Sequence, residues 1–252
     1  FDNSCYVQIQ GAAMGSCFSP SYANLFMGWW EEHVASSTEG FDQVKLWLRF
    51  IDNLFIIWQG NEISAREFVK RLNDNNLNLK FVGHISRHSV EFLDTKVSVK
   101  GDSLVTCLHR KSTSGNTLLH AESAHPKPLV ESIPYGELMR ARRNCSTVEG
   151  YEKEKNTMIA RFKQRGYSNK VISRAVNKVA HLKRENLLNN KPHVEDSMEQ
   201  PIRFITEYSC TASRIRKEIR KYWPILEADD KLGPTLGNRP MITFRKGTAI
   251  KD

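Results

Sequence analysis

An aspartate in a short turn between two strand-like segments is the residue best placed to do chemistry. Asp52 lies at residues 51–53, after the alternating segment 45–50 and before the apolar segment 54–58. Phosphoryl transfer by polymerases uses two divalent ions about 4 Å apart, held by hard oxygen ligands such as carboxylates. The tip of a rigid hairpin would hold such a ligand in place. Taken alone, however, Asp followed by Asn is also common in structural turns.

A second candidate is the segment 10–20, which precedes Asp52 in the chain. It ends in Ser19 and Pro20, and this pair is typical of a helix start, with the serine as cap. Glycines allow the backbone to approach a flat ligand closely, because they have no side chain. An ordinary glycine-rich helix start is the alternative. The candidate residues are Gly11, Met14, Gly15, Ser16, Ser19 and Pro20.

The net charge of +9 is concentrated in the second half of the chain. Residues 101–190 hold 16 Lys and Arg against 8 Asp and Glu, whereas residues 1–100 hold 9 against 11. This distribution favours a contact with a polyanion that is confined to the second half. A solvated basic surface is the alternative.

Within that half, residues 151–185 have the pattern of a helix, a short turn and a helix, the outline of a helix-turn-helix unit. On the second helix a stripe of Lys170, Arg174 and Lys178 recurs every four residues and can attract phosphates. Readout of bases would use Asn169 or Arg174 near the helix start. An arginine cluster precedes this pair. For the stripe and the cluster alike, a solvated helix face is the alternative. The cluster consists of Arg140, Arg142 and Arg143.

The histidines and cysteines lack the spacing of a metal site. His120 and His125 are five residues apart with no cysteine nearby, and the five cysteines are scattered. Such cysteines are typical of reduced thiols in an intracellular protein. No apolar run approaches the roughly 20 residues that a membrane span needs. We therefore predict an intracellular protein, nuclear or cytoplasmic, that is not secreted and has no membrane partner.

The patterns also predict the elements that position these residues. In the first 110 residues we expect a buried helix from Ser19, the hairpin around Asp52, a helix from Ser64 to Asn73, and further strands. The second half is predicted to be mainly helical, with a polar linker at 189–201 and an extended tail at 231–252. The further strands are 77–81, 90–99 and 104–109, and the later helices are 135–144, 151–164, 169–185 capped by Ser168, and 208–228 broken at Pro224.

An ordered series of motifs resembles the reverse transcriptase of Penelope-like retroelements, a group similar to telomerase, over nearly the whole chain. The series begins with Gln-Gly-x-x-Met-Gly-Ser-x-x-Ser-Pro at 10–20 and continues with Arg-Phe-Ile-Asp-Asn at 49–53 and Phe-Leu-Asp at 92–94. Later motifs lie in the basic half, at 110–113, 119–120, 125–126, 133–136, 140–146 and 161–167.

The resemblance implies that Asp52 is the metal-binding aspartate, with Mg²⁺ or Mn²⁺ as the cofactor of the intact enzyme. It also implies that the residues of segment 10–20 position the template base and the nucleotide, and that the stripe and the arginine cluster contact the template–primer backbone. Asn53 replaces the second aspartate of the motif, and a neutral carboxamide binds Mg²⁺ weakly. The first palm aspartate of the family precedes segment 10–20, so we expect it to lie outside this sequence and the metal site to be incomplete.

We therefore predict an α+β fold with a partial polymerase palm at 1–110, followed by a mainly helical basic thumb at 111–188. A linker, a C-terminal helix and an extended tail occupy 189–252. The predicted function is that of a reverse-transcriptase fragment, from an RNA-directed DNA polymerase, that binds an RNA or DNA template–primer duplex and is catalytically incompetent alone. Two alternatives stay open: a non-enzymatic nucleic-acid-binding protein of helix-turn-helix type derived from it, and a degenerate product without activity.

Overall fold

A computed structural model describes residues 5–7, 11–111, 113, 115–189, 202–209, 211–236 and 240–245. The chain divides into two compact units, Phe1–His109 and Arg110–Asp252. Helices occur together with antiparallel sheets, which confirms the predicted α+β class. Within the part of the chain that is described, no helix has the length and apolar character to cross a membrane.

The first unit combines helices with a hairpin and a three-stranded meander, both antiparallel. Helix α1 continues into a π-helical turn before the chain enters the hairpin β1–β2. The meander runs in the order β3-β4-β5. The bounds are α1 (Ser19–Trp30), β1 (Val44–Phe50), β2 (Asn53–Trp58), α2 (Glu62–Asn73), β3 (Ser89–Phe92), β4 (Thr95–Lys100) and β5 (Ser103–Leu108).

Aromatic rings form the core of this unit and fix the base of the hairpin. Trp30 and Phe68 are at most 1% exposed. The Trp30 ring lies 4.9 Å from that of Phe81, and the Phe68 ring lies 4.9 Å from that of Trp58 on β2. The burial of these large side chains holds α1, α2 and the base of the hairpin together. At the other end of the hairpin, Ile51 in the turn is exposed.

Helix α1 is less buried than predicted. Among its residues only Trp30 is buried, whereas Tyr22, Leu25 and Trp29 are 58%, 75% and 46% exposed. The core of the described residues covers the side of the helix that carries Met27 and Trp30. An apolar surface is buried only where another element faces it, and the apolar sequence of a helix does not supply that element.

Two predicted strands of the first unit are wrong. Segment 90–99 is a hairpin, because Leu93 has a φ of 54° and the chain reverses there between β3 and β4. Segment 77–81 forms no strand, since side-chain amides bind its backbone instead of a neighbouring strand. The amide of Asn73 donates to the carbonyl oxygen of Phe81 at 2.9 Å, and that of Asn75 donates to the carbonyl oxygen of Leu79 at 3.0 Å.

The predicted cap of α2 is also wrong. The helix begins at Glu62, and the side chain of Asn61 accepts a hydrogen bond from the Ser64 backbone amide at 2.7 Å. Asparagine and serine are similarly strong N-caps, so the sequence alone did not separate them.

The second unit contains a bundle of helices and a strand–helix–strand segment. Strands β6 and β7 pair in parallel, and α7 lies between them in the chain. The bounds are α3 (Lys127–Asn144), α4 (Val148–Gln164), α5 (Asn169–Ala180), α6 (Arg184–Leu188), β6 (Arg203–Glu207), α7 (Ala212–Glu227), α8 (Gly233–Leu236) and β7 (Met241–Arg245).

Prolines caused the main errors in this half. Helix α3 begins at Lys127 and not at residue 135, and Pro134 lies inside it. A proline in a helix interior removes one hydrogen bond and costs about 3 kcal/mol. Pro134 is less than 2% exposed, so its packing in the core offsets this cost. Helix α7 likewise continues past Pro224, three residues before its end.

Two further boundaries differ from the prediction. The helix expected at 169–185 is divided into α5 and α6, and the tail expected to be extended contains the short helix α8 ahead of the extended strand β7. Gln10 of the first motif, Ser112, and residues 190–201 of the predicted linker lie outside the described residues.

Candidate nucleic-acid interface

The connection between α4 and α5 is a four-residue turn, 165–168, that stops one helix and starts the next. Gly166 has a φ of 77°, a conformation that residues with a side chain rarely adopt. The Gly166 amide donates to the carbonyl oxygen of Lys163 at 3.1 Å, and the Tyr167 amide donates to that of Phe162 at 3.1 Å. These two bonds form a Schellman motif, which satisfies carbonyl groups at the helix end.

An aromatic contact packs the turn against the last turn of α4. The rings of Phe162 and Tyr167 meet edge to face at 5.9 Å, and both residues are buried. Such a contact across the last turn is the usual companion of a Schellman motif. The Tyr167 hydroxyl donates to the carbonyl oxygen of Leu119 at 3.0 Å, and the Ala121 amide donates to that of Arg165 at 2.9 Å. The segment before α3 therefore braces the turn.

Side-chain caps define where α4 and α5 begin. The hydroxyl of Ser168 accepts a hydrogen bond from the Val171 amide at 3.4 Å, as the sequence predicted. The hydroxyl of Thr147 accepts one from the Gly150 amide at 3.1 Å at the start of α4. The Schellman hydrogen bonds at the end of α4 and the Ser168 cap at the start of α5 thus define both ends of the connection by local contacts.

The inner face of α5 is the part that the bundle buries. Ile172, Ala175 and Val179 are at most 4% exposed and follow the spacing of one helical face. Helices α3 and α4, which contact α5, likewise bury Leu138 and Met158, both at most 1% exposed. This burial determines which residues of α5 point outward.

The outward face of α5 carries all three cations of the predicted stripe, and Lys170, Arg174 and Lys178 are exposed. The helix contains no acidic residue. Ser173 and Asn177 are exposed between these cations, a pair that the sequence reasoning missed. The signal was present, because positions 170, 173, 174, 177 and 178 share one helical face.

Helix α3 lies alongside this face and contacts two of its cations. The Arg174 guanidinium lies 3.5 Å from the Glu131 carboxylate, and the Lys178 ammonium lies 5.8 Å from the centre of the Tyr135 ring. Glu131 and Tyr135 are four residues apart, as are Arg174 and Lys178. The contacts therefore follow the same order along both helices: Glu131 faces Arg174, and one helical turn later Tyr135 faces Lys178.

The predicted arginine cluster is not one surface. Arg142 is half-buried, with its guanidinium 5.0 Å from the centre of the Tyr151 ring and its Nε donating to the Leu182 carbonyl oxygen at 3.4 Å. Arg140 pairs with Glu137 at 3.8 Å, and Arg143 is exposed. Residues three apart are neighbours on a helix surface, so Arg140 and Arg143 share a side of α3, whereas Arg142 points toward α4.

Arg142 stabilises the bundle through its ring contact. Burial raises the pKa of the Tyr151 phenol, and the neighbouring Arg142 guanidinium opposes that rise. The neutral phenol thus packs in the core while the cation covers its ring. The structure places the Arg142 side chain of α3 against α4 and the chain after α5.

In the first unit, Asp52 lies in the turn of the β1–β2 hairpin and is exposed. The Asn53 side-chain amide donates to its carboxylate at 2.8 Å. Arg49 holds the turn in place, because its guanidinium donates to the Ile51 carbonyl oxygen at 3.1 Å and to the Glu31 carboxylate at 2.8 Å. The hairpin tip is thereby tied to the π-helical turn that follows α1.

The donor groups near Asp52 do not fit a two-metal site. Among the described residues, no group of three or more His, Cys, Asp or Glu side chains is arranged to hold an ion. Asn53 directs an amide N–H, which repels cations, toward the carboxylate of Asp52.

One of the two histidines noted in the sequence has a local partner in the second unit. The His125 ring nitrogen Nδ1 lies 2.7 Å from the Ser123 hydroxyl.

Segment 11–20 forms glycine turns ahead of α1. Gly11 and Gly15 have φ values of 82° and 91°. The Ser19 hydroxyl donates to the Ala13 carbonyl oxygen at 2.7 Å, and its oxygen lies 3.1 Å from the Ser16 hydroxyl oxygen. The sequence predicted Ser19 as the cap of α1, and this prediction is wrong. The N-cap position is Phe18, which provides no side-chain hydrogen bond.

The remaining two candidate residues of this segment are Pro20 and Met14, and Met14 lies in the turn next to Gly15. Pro20 lies in the first turn of α1, and Met14 is fully exposed. The structure thus shows a compact turn in which two serines bond to each other and to the backbone.

Replacing Gly166 by alanine tests the turn between α4 and α5. An alanine would adopt a left-handed conformation and meet the His120 ring at 3.3 Å, so we expect a loss of about 1–2 kcal/mol of unfolding free energy. Gly136→Ala in α3 is the matched control, since no atom lies within 4 Å of its added Cβ, and it should gain about 0.5–1 kcal/mol. Urea denaturation followed by circular dichroism measures both, and equal effects would contradict the assignment of the turn.

Comparison with known families identifies one region of the chain. Residues 117–177 match the family model of the animal helix-turn-helix domain. The match begins in the segment that braces the turn and covers α3, α4 and most of α5. No curated protein and no solved structure matches the chain, so the resemblance to a reverse transcriptase stays a prediction. In sequence and in the connection of its helices, the region 117–177 is similar to helix-turn-helix domains.

Proposed function

We propose that the chain binds double-stranded nucleic acid through the outward face of α5. The observation that carries this proposal is that face itself: three exposed cations without an acidic residue on the helix, held by a capped turn in which Tyr167 is buried. Helix-turn-helix proteins insert their second helix into the major groove, and α5 is the second helix of this pair.

Charge supports contact with phosphates. The matched region 117–177 holds eleven lysines and arginines against six glutamates, a net charge of +5. Each cation that reaches a phosphate releases condensed counterions, so the affinity for duplex falls with salt concentration. Ser173 and Asn177 lie among the cations and carry groups that can bond to base edges. Phosphate contact is the main term of the proposed binding, and these two residues would add base readout.

Neutralising the stripe tests the proposal. The variant Lys170→Gln, Arg174→Gln and Lys178→Gln should bind labelled duplex DNA more weakly, and its plot of log K against log salt should be shallower by about 2–3. Fluorescence anisotropy over a salt series measures both. The control variant Lys45→Gln, Lys80→Gln and Lys100→Gln removes the same charge from exposed positions in the first unit. Equal losses in the two variants would show that only net charge matters and would refute the proposal.

A second proposal concerns the origin of the first unit, and the observation that favours it is the hairpin. Asp52 stands exposed in a turn that Arg49 ties to the end of α1, which is the hairpin position that the resemblance gives to the metal-binding aspartate of a polymerase palm. We infer that the chain derives from a reverse transcriptase and binds template–primer duplex. One carboxylate in the turn does not hold the two Mg²⁺ or Mn²⁺ ions of that reaction, so the chain alone is proposed to be inactive.

Primer extension with an RNA or DNA template, in Mg²⁺ and then in Mn²⁺, tests this inactivity. We expect no incorporation of nucleotides by the chain or by its Asp52→Ala variant, while both bind the duplex equally. Incorporation by the chain that is lost in Asp52→Ala would contradict the proposed inactivity and establish Asp52 as a catalytic residue.

A further inference from the structure

Glu131 on α3 forms an ion pair with Arg174, one of the three cations of the α5 face. Its carboxylate lies 3.5 Å from the Arg174 guanidinium and 4.0 Å from the Lys127 ammonium. The Arg174 side chain is 52% exposed and the Glu131 side chain 34%, so the pair lies at the surface and not in the core. Helix α5 itself has no acidic residue, so it is the Glu131 carboxylate of α3 that neutralises part of its cationic face.

We propose that Glu131 competes with nucleic-acid phosphates for Arg174 and thereby limits the affinity of the α5 face; this rests on the proposed function of that face. A guanidinium binds a carboxylate and a phosphate through the same planar set of N–H donors. To contact a phosphate fully, Arg174 must release Glu131 or share its donors. In addition, the Glu131 carboxylate repels a phosphate that approaches the same edge of α5.

The contact of α3 with Lys178 is of a different kind. The Tyr135 ring lies 5.8 Å from the Lys178 ammonium and attracts it without removing its charge. Tyr135 therefore holds Lys178 in place but does not neutralise it, whereas Glu131 neutralises Arg174. The three cations of the stripe should accordingly contribute unequally to phosphate binding: Lys170 and Lys178 fully, and Arg174 in part.

The variant Glu131→Gln tests this inference, because it keeps the size of the side chain and removes its charge. Exposed ion pairs have modest strength, so we expect duplex DNA of mixed sequence to bind about two- to fivefold more tightly. The plot of log K against log salt should become steeper by about 0.9, because one more cation is available to phosphate. Glu122→Gln removes the same charge from an exposed loop position and should change the affinity less.

The double variant separates local competition from a general charge effect. In an Arg174→Gln background, Glu131→Gln should gain clearly less affinity than it does in the unmodified chain. Circular dichroism and thermal unfolding establish that each variant is folded. An equal gain in both backgrounds, no gain, or weaker binding by Glu131→Gln would overturn the inference.

Failure of this inference is distinguishable from failure of the proposed function. If α5 binds duplex but Glu131 does not compete, neutralising the stripe still weakens binding, while Glu131→Gln has no effect or weakens it. If α5 does not bind duplex, neutralising the stripe has no more effect than its control, and both proposals are refuted.

Discussion

The turn that joins α4 to α5 is the constraint on which the proposed interface depends. Gly166 adopts a left-handed conformation, the Schellman hydrogen bonds close the end of α4, and Phe162 packs against Tyr167. These contacts set the direction in which α5 leaves the turn. The burial of Ile172, Ala175 and Val179 then fixes its rotation about its own axis, and so determines that the cations face outward.

The same arrangement explains why the cations on the outward face of α5 differ in how freely they can meet a phosphate. Because α3 packs beside α5, the cations nearest to it receive partners from α3, and the partners differ in charge. Glu131 cancels a charge, whereas Tyr135 leaves one intact. The basic stripe read from the sequence is therefore a set of cations with different availability, and only the packing of the bundle shows the difference.

Much of this bundle could be predicted from the sequence because its signals are local. The apolar spacing on α5, the Ser168 cap and the glycine of the turn all act within one or two helical turns. The start of α3 could not be predicted, since Pro134 is a strong local signal for a boundary and only its burial in the core outweighs that signal. The pairing of β6 with β7 was missed for a related reason: the strands are separated by α7 and meet only in three dimensions.

The candidate sites show the same limit. The alternation around Asp52 predicted a hairpin with an exposed aspartate, and the structure has that geometry. The number of ligands around it is a property of distant segments that no local pattern reports. The arginine cluster illustrates the converse, because residues that are adjacent in sequence diverge on a helix: Arg142 covers Tyr151 while Arg143 is exposed.

The central claim, that α5 is the surface of the chain that meets nucleic acid, is tested most directly by backbone amide NMR shifts during a titration with duplex DNA. We expect the largest shifts at residues 169–178, with smaller ones near Glu131 on the neighbouring helix, and little change in the β1–β2 hairpin. Shifts that concentrate in the hairpin or in α7, with residues 169–178 unaffected, would contradict the claim.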